Sequence, residues 1–121
     1  MYRRTPTIRI RAGGRTHTPG QMNKLEARYA AHLELRRLAG QVDSWRFEAI
    51  KLRLAKRTWY TPDFLVVLAD GGCEFHEVKG GHWEDDARVK FKVAAEQWPQ
   101  WGFVAAVEKA GEWVIQERFN E

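Results

Sequence analysis

Apolar and polar positions along this chain change their spacing several times, and each change marks an element. Met22, Leu25, Tyr29 and Leu33 recur at helical intervals. Asn23 stands in front of them with Glu26 three residues later, the arrangement of a capping box, and Gly40 supplies a stop. A helix therefore starts at about Asn23. Between Ser44 and Leu54 the period becomes two: Trp45 and Phe47 alternate, then Ile50, Leu52 and Leu54 alternate on the other parity. That change predicts a strand with a bulge or break near Glu48-Ala49, followed by a turn at Lys56-Arg57. Phe64 to Leu68 reads as a buried strand, Asp70-Gly71-Gly72 as a turn, and Cys73 to Val78 as the return strand, ended by Gly80-Gly81. A second helix follows from about Asp85 to Gln97. Asp85 and Asp86 suit its N-terminal dipole, Val89, Val93 and Ala94 face inward, and Pro99 ends it. Phe103 to Val107 forms another strand, and Trp113 to Ile115 an edge strand after the Gly111 turn. The order is helix, three strands, helix, strand and one extra strand, which predicts an α/β fold with a mixed sheet flanked by helices.

Composition adds bounds. A chain of 121 residues suffices for one domain, and 44% apolar with 30% charged residues is ordinary globular usage. No run approaches the roughly 18 apolar residues of a membrane span. The start, Met1-Tyr2-Arg3-Arg4-Thr5-Pro6, lacks the apolar stretch of a signal peptide, so the expected location is a cytoplasm. The single cysteine, Cys73, rules out an intrachain disulfide and a thiolate zinc site; it reads as an apolar filler.

The charge distribution says more than the net +4. Residues 1–21 carry Arg3, Arg4, Arg9, Arg11 and Arg15 without an acid, whereas residues 22–121 hold 15 basic and 16 acidic side chains. Residues 1–21 are therefore a basic arm, flexible or an edge strand around Ile8 and Ile10, and residues 22–121 are the domain. A basic arm suggests a polyanionic partner; a solubilising tail has the same composition.

The chemistry gathers on the hairpin. Pro62-Asp63 opens its first strand and Glu77-Val78-Lys79 closes its second. A turn centred near Gly71 sets Asp63 roughly opposite Lys79 and close to Glu77, while alternation puts Glu77 and Lys79 on one face. Neighbouring carboxylates repel, so one takes a proton unless a cation lies between them, and oxygen-only ligands suit Mg²⁺ or Mn²⁺. Such a cation with a nearby lysine supplies the parts for phosphodiester hydrolysis. Taken alone, Glu77-Val78-Lys79 is an ordinary salt bridge on a strand. His76 points to the face opposite Glu77 and reads as structural. His82 and Trp83 lie on a loop beside the site, in reach of nucleic acid. Lys51 and Arg53 share an outer strand face that could follow a DNA backbone or simply face water. Trp45, Trp98, Trp101 and Trp113 read as core or as a dimer interface.

Pro62-Asp63 followed by Glu77-Val78-Lys79 resembles the PD-(D/E)XK nuclease superfamily, whose usual core is helix, three strands, helix, strand. More narrowly, Asn23-Lys24-Leu25-Glu26-Ala27, Tyr60-Thr61-Pro62-Asp63-Phe64 and His76-Glu77-Val78-Lys79-Gly80 look like small phage and prophage proteins similar to Holliday-junction resolvases and to transposase nuclease subunits. The resemblance spans about residues 22–107. It implies a restriction-endonuclease-like fold and a Mg²⁺-dependent endonuclease, with Glu26, Asp63, Glu77 and the Val78 carbonyl as metal ligands. Lys79 would activate or position the attacking water, and the product would carry a 5′-phosphate. Glu26 borders the apolar stripe of its helix, about 100° from Leu25, but capping of Asn23 is an alternative role. From the second helix the resemblance implies a phosphate contact by Lys90, Lys92 or Gln97, Lys90 being nearest the helix start. Branched DNA is the expected substrate and a homodimer the expected assembly. Two other readings stay open: a nuclease subunit that needs a recombination or transposition partner, and a non-catalytic nucleic-acid-binding protein on the same fold.

Overall fold

The computed structural model describes residues 20–81 and 83–121. The arginines of the basic arm, Ile8, Ile10 and His82 lie outside the described residues. Helix α1 (Lys24–Leu38) begins as its sequence dictates: the Asn23 side chain accepts from the Glu26 N–H at 2.8 Å, and Glu26 Oε1 accepts from the Asn23 N–H at 2.9 Å. It ends in a Schellman motif. Gly40 takes a positive φ of 80°, which lets Gln41 N–H reach the Arg36 carbonyl and Gly40 N–H the Arg37 carbonyl.

The strands are β1 (Val42–Phe47), β2 (Leu52–Ala55), β3 (Thr58–Tyr60), β4 (Phe64–Leu68), β5 (Cys73–Lys79), β6 (Gly102–Lys109) and β7 (Glu112–Phe119). Helix α2 (Asp85–Gln97) joins β5 to β6. The main sheet runs β1-β4-β5-β6-β7. The β5–β6 pair is parallel and the rest antiparallel, so the sheet is mixed. The expected single strand over Ser44–Leu54 is in fact two. Glu48, at φ 47°, turns the chain out of the main sheet, and β2 pairs with β3 in a separate two-stranded sheet. The break at Glu48-Ala49 is where it was expected, but its consequence is a different sheet. Strand β3 was not foreseen, and β7 extends four residues beyond Ile115.

Each sheet face has its own core. Tyr29, Ala30 and Leu33 of α1 pack on Val42, Phe64, Val66, Val78 and Ala106. Phe91, Ala94 and Ala95 of α2 pack on Phe75, Phe103, Ala105, Leu52 and Tyr60. Phe64, Phe75, Phe91 and Phe103 are fully enclosed, each stabilising the fold by about 1.5–3 kcal/mol. Val89, expected to face inward, is exposed, and Phe91 and Ala95 fill that face with Ala94. The four tryptophans assigned to core or interface pack within the chain: Trp98 stacks on Trp101, Trp113 sits edge-on to Tyr29, and Trp45 packs on Phe64. No helix among the described residues is long and apolar enough to cross a membrane.

Candidate active site

The β4–β5 hairpin has a register two residues from the expected one. Gly71 takes φ 90°, its N–H bonds the Leu68 carbonyl, and Leu68 N–H bonds Gly72, which centres the turn one residue early. Phe64 therefore pairs with His76, and continuing the ladder sets Asp63 against Glu77 rather than Lys79. The backbone ladder ends there and the side chains take it over. Asp63 N–H donates to Glu77 Oε1 at 3.2 Å, and Val78 N–H donates to Asp63 Oδ2 at 2.9 Å. The Asp63 carbonyl accepts from Glu48 N–H at 2.8 Å, tying the residue to the end of β1. Both carboxylates are buried, at 7% and 6% exposure.

Two further groups hold Glu77. Tyr60 O–H donates to Oε1 at 2.7 Å, and Lys79 Nζ stands 3.3 Å from Oε2. Tyr60 had been assigned no role. The available signal was a phenol among the apolar residues just before Pro62-Asp63, since a buried hydroxyl needs a partner. Beside Glu77 in the parallel ladder stands Ala105, whose small side chain leaves the carboxylate room. Trp83 is buried against Phe91 and lies under Lys79, whose Nζ is 5.6 Å from its ring centroid. Its Nε1 is buried and finds no hydrogen-bond partner among the described residues.

The electrostatics are those of crowded negative charge. Burial first, then Glu77 and Glu26, push the Asp63 carboxyl well above its ordinary pKa, against the smaller opposing effects of Lys79 and the Val78 N–H. Burial also opposes charge on Lys79. Glu77, Asp63 and Glu26 together outweigh that, so its pKa is raised and it stays an ammonium. Glu26 caps α1 through Oε1, and its charge also raises the pKa values of Asp63 and Lys79.

The other candidates divide. Lys90 Nζ donates to the Trp59 carbonyl at 3.3 Å, beneath the β2–β3 hairpin. Lys92 is exposed, and Gln97 bonds the Leu54 carbonyl at the far end of α2. Lys51 and Arg53 lie on the outer side of β2–β3, Lys51 with its Nζ 6.0 Å from the Trp59 ring centroid. The contacts described for Lys90, Gln97 and Lys51 are all with the β2–β3 hairpin. His76 points to the face opposite Glu77 as expected, and that face is α1's, with Nδ1 2.5 Å from the Tyr29 hydroxyl and Nε2 2.9 Å from Glu74 Oε1.

Among the described residues, no three His, Cys, Asp or Glu side chains form a ready-made metal cage. The carboxylates are turned to Tyr60, Lys79, the helix cap and main-chain N–H groups. The donor set still suits a hard divalent cation. It is all oxygen, and a cation would offset the burial and the neighbouring carboxylates that raise the Asp63 pKa. Comparison with protein-family models, with curated proteins and with solved structures returns no match to this chain.

Proposed function

We propose that this chain is a Mg²⁺- or Mn²⁺-dependent endonuclease of the PD-(D/E)XK kind. The observation that carries the reading is the convergence of two buried carboxyl groups and a lysine at the open end of a hairpin. The order of the main-sheet elements, α1, β1, β4, β5, α2, β6, supports it. Asp63 and Glu77 would hold the cation, with Glu26 adding charge from α1. A cation there would acidify water and draw charge from a phosphate oxygen. Lys79, kept protonated by its neighbours, acts as a donor and a positive charge toward the phosphate rather than as a base. Tyr60 and the Asp63 N–H both donate to Glu77 Oε1 and so fix the orientation of its carboxylate. Branched DNA is the substrate we favour, since a small domain offers little surface for reading sequence. A homodimer would address two strands at once.

End-labelled four-way junction, fork, linear duplex and single strand, each with Mg²⁺, Mn²⁺ or EDTA, test the reading. Metal-dependent cuts that vanish in Asp63→Asn and Lys79→Ala support it, and symmetric cuts confined to the junction identify the substrate. Cutting that persists in Asp63→Asn removes the site assignment. Absence of cutting with either metal on every substrate removes the free-standing enzyme.

A further inference from the structure

The β2–β3 hairpin packs its inner side on the α2 core but stands outside the main sheet. It is inserted between β1 and β4, forms its own sheet, and stands over α2 at the site. Residues 49–62 contain Lys51, Arg53, Lys56 and Arg57 and no acid, in a domain that is otherwise slightly acidic.

Alternation separates the hairpin's two sides. Leu52 and Tyr60 pair with each other and are buried under α2, with Leu54 packed against the same core. Arg53 and Trp59 pair on the other side, where Lys51 stands over the Trp59 ring. Lys56 and Arg57 form the exposed tip, with Arg57 at φ 60°. The cations thus project away from the core over roughly 16 Å of strand. Along that length duplex DNA exposes about nine phosphates.

The hairpin is fastened at one point to the candidate site and at two points to α2. Tyr60 O–H reaches Glu77, Lys90 holds the Trp59 carbonyl, and Gln97 holds the Leu54 carbonyl. One residue, Tyr60, therefore joins a basic surface to a carboxylate of the site.

We propose that the outer side and tip of β2–β3 dock on the phosphate backbone of the nucleic-acid substrate. Tyr60 is then a positioning residue that sets Glu77 as the strand is seated. This inference rests on the nuclease reading, and it names the surface that receives the substrate. A phosphate backbone fits better than an acidic protein segment. The cations lie along the outer side and tip of an extended ribbon, the exposed tip itself is Lys56-Arg57, and a ribbon of this width enters or straddles a groove.

The test uses the full chain with Arg53→Ala, Lys56→Ala and Arg57→Asn combined; asparagine tolerates the left-handed backbone at 57. Binding to fluorescent duplex and junction is followed by anisotropy across a salt series. Loss of three phosphate contacts should lower the slope of log K against log salt by about 2.7. The thermal shift on adding Mn²⁺ should match the parent protein, showing the site intact. Asp63→Asn, run in parallel, should bind with the parental slope. Tyr60→Phe should bind normally but cut about tenfold more slowly, in kcat and not in KM.

Parental affinity and slope in the triple variant, while the parent protein still cuts DNA, would overturn the docking surface and leave the nuclease standing. Undiminished kcat in Tyr60→Phe would overturn the positioning role. A parent protein that neither binds nor cuts any nucleic acid, or whose triple variant loses only an acidic protein partner, would overturn both this inference and the reading beneath it.

Discussion

His76 and Glu77 are neighbours on β5, equally hidden from water, and their side chains live under opposite rules. On the α1 side, His76 lies between Tyr29 and Glu74, and Glu74 in turn pairs with Arg118 at 3.0 Å. A carboxylate can only accept, so Nε2 carries the proton and Nδ1 receives the Tyr29 hydroxyl. Burial holds His76 below its ordinary pKa and so neutral, and burial raises that of Tyr29. Every polar group there has a partner and no charge is in excess. On the α2 side, Asp63, Glu77 and the nearby Glu26 share one ammonium, and Asp63 is forced toward the protonated state. Hydrogen bonds alone therefore do not separate a structural cluster from a candidate active site, because both clusters are well bonded. The difference is the charge balance: the first cluster is complete as it stands, and the second gathers three carboxyl groups about one ammonium.

That contrast can be broken in order of size. Asp63→Asn should reduce cutting about a hundredfold or more while leaving the metal-free fold at least as stable, since it removes a repelled carboxylate. Activity and melting temperature measured on the same preparation check this, and a cooperative loss of structure would contradict it. His76→Ala should do the reverse. Unfolding free energy should drop by about 3 kcal/mol from the cavity and two orphaned partners, with cutting per folded molecule unchanged, as read from urea titration beside active-site-normalised rates.

The pH dependences should also run in opposite directions. His76 has a folded pKa below its ordinary 6.5, so its stabilisation is present above that value and declines as pH falls through it toward the folded pKa. Asp63 has a folded pKa above its ordinary 3.8, so its contribution is full below that value and is lost as pH rises through the raised pKa. In metal-free urea titrations across pH, Asp63→Asn should remove the decline on the rising side and keep the one on the acid side. The smallest effect belongs to the helix cap. Asn23→Ala should cost about 1 kcal/mol, whereas Glu26→Gln keeps an acceptor for the cap and loses the charge, so it should weaken Mn²⁺ binding more than stability. Calorimetry on the two variants separates the roles.

Much of this arrangement was legible in the residues, and the exceptions share a cause. The capping box, the bounds of α2, the hairpin and the shared face of Glu77 and Lys79 are local matters of cap chemistry, turn residues and alternation. The register was missed by two because it depends on which backbone groups close the turn, and Asp70-Gly71-Gly72 permits more than one centre. The separate sheet depends on the left-handed turn at Glu48, for which a glutamate gives no warning. Val89 was assigned inward by its apolar character, but Phe91 and Ala95 already fill that space against β6 and Phe119. Tyr60 entered the site through a hairpin that pairs with nothing in the main sheet, so no strand pattern pointed to it.

The mixed sheet also orders events in time. Asp63 and Glu77 are 14 residues apart and meet across a tight hairpin, whereas β5 and β6 join only after the chain has passed through α2, Glu74 meeting Gly102. Short loops close with less entropy loss, and hairpins form in about microseconds. The two carboxylates therefore come together while the chain is still half-built and water still screens them. Their repulsion is felt in full only when α2 and β6 dock and seal the site. The slow step of assembly is thus the one that strands negative charge, and under the proposed metal-dependent function a divalent ion present during synthesis would serve folding before it served cutting.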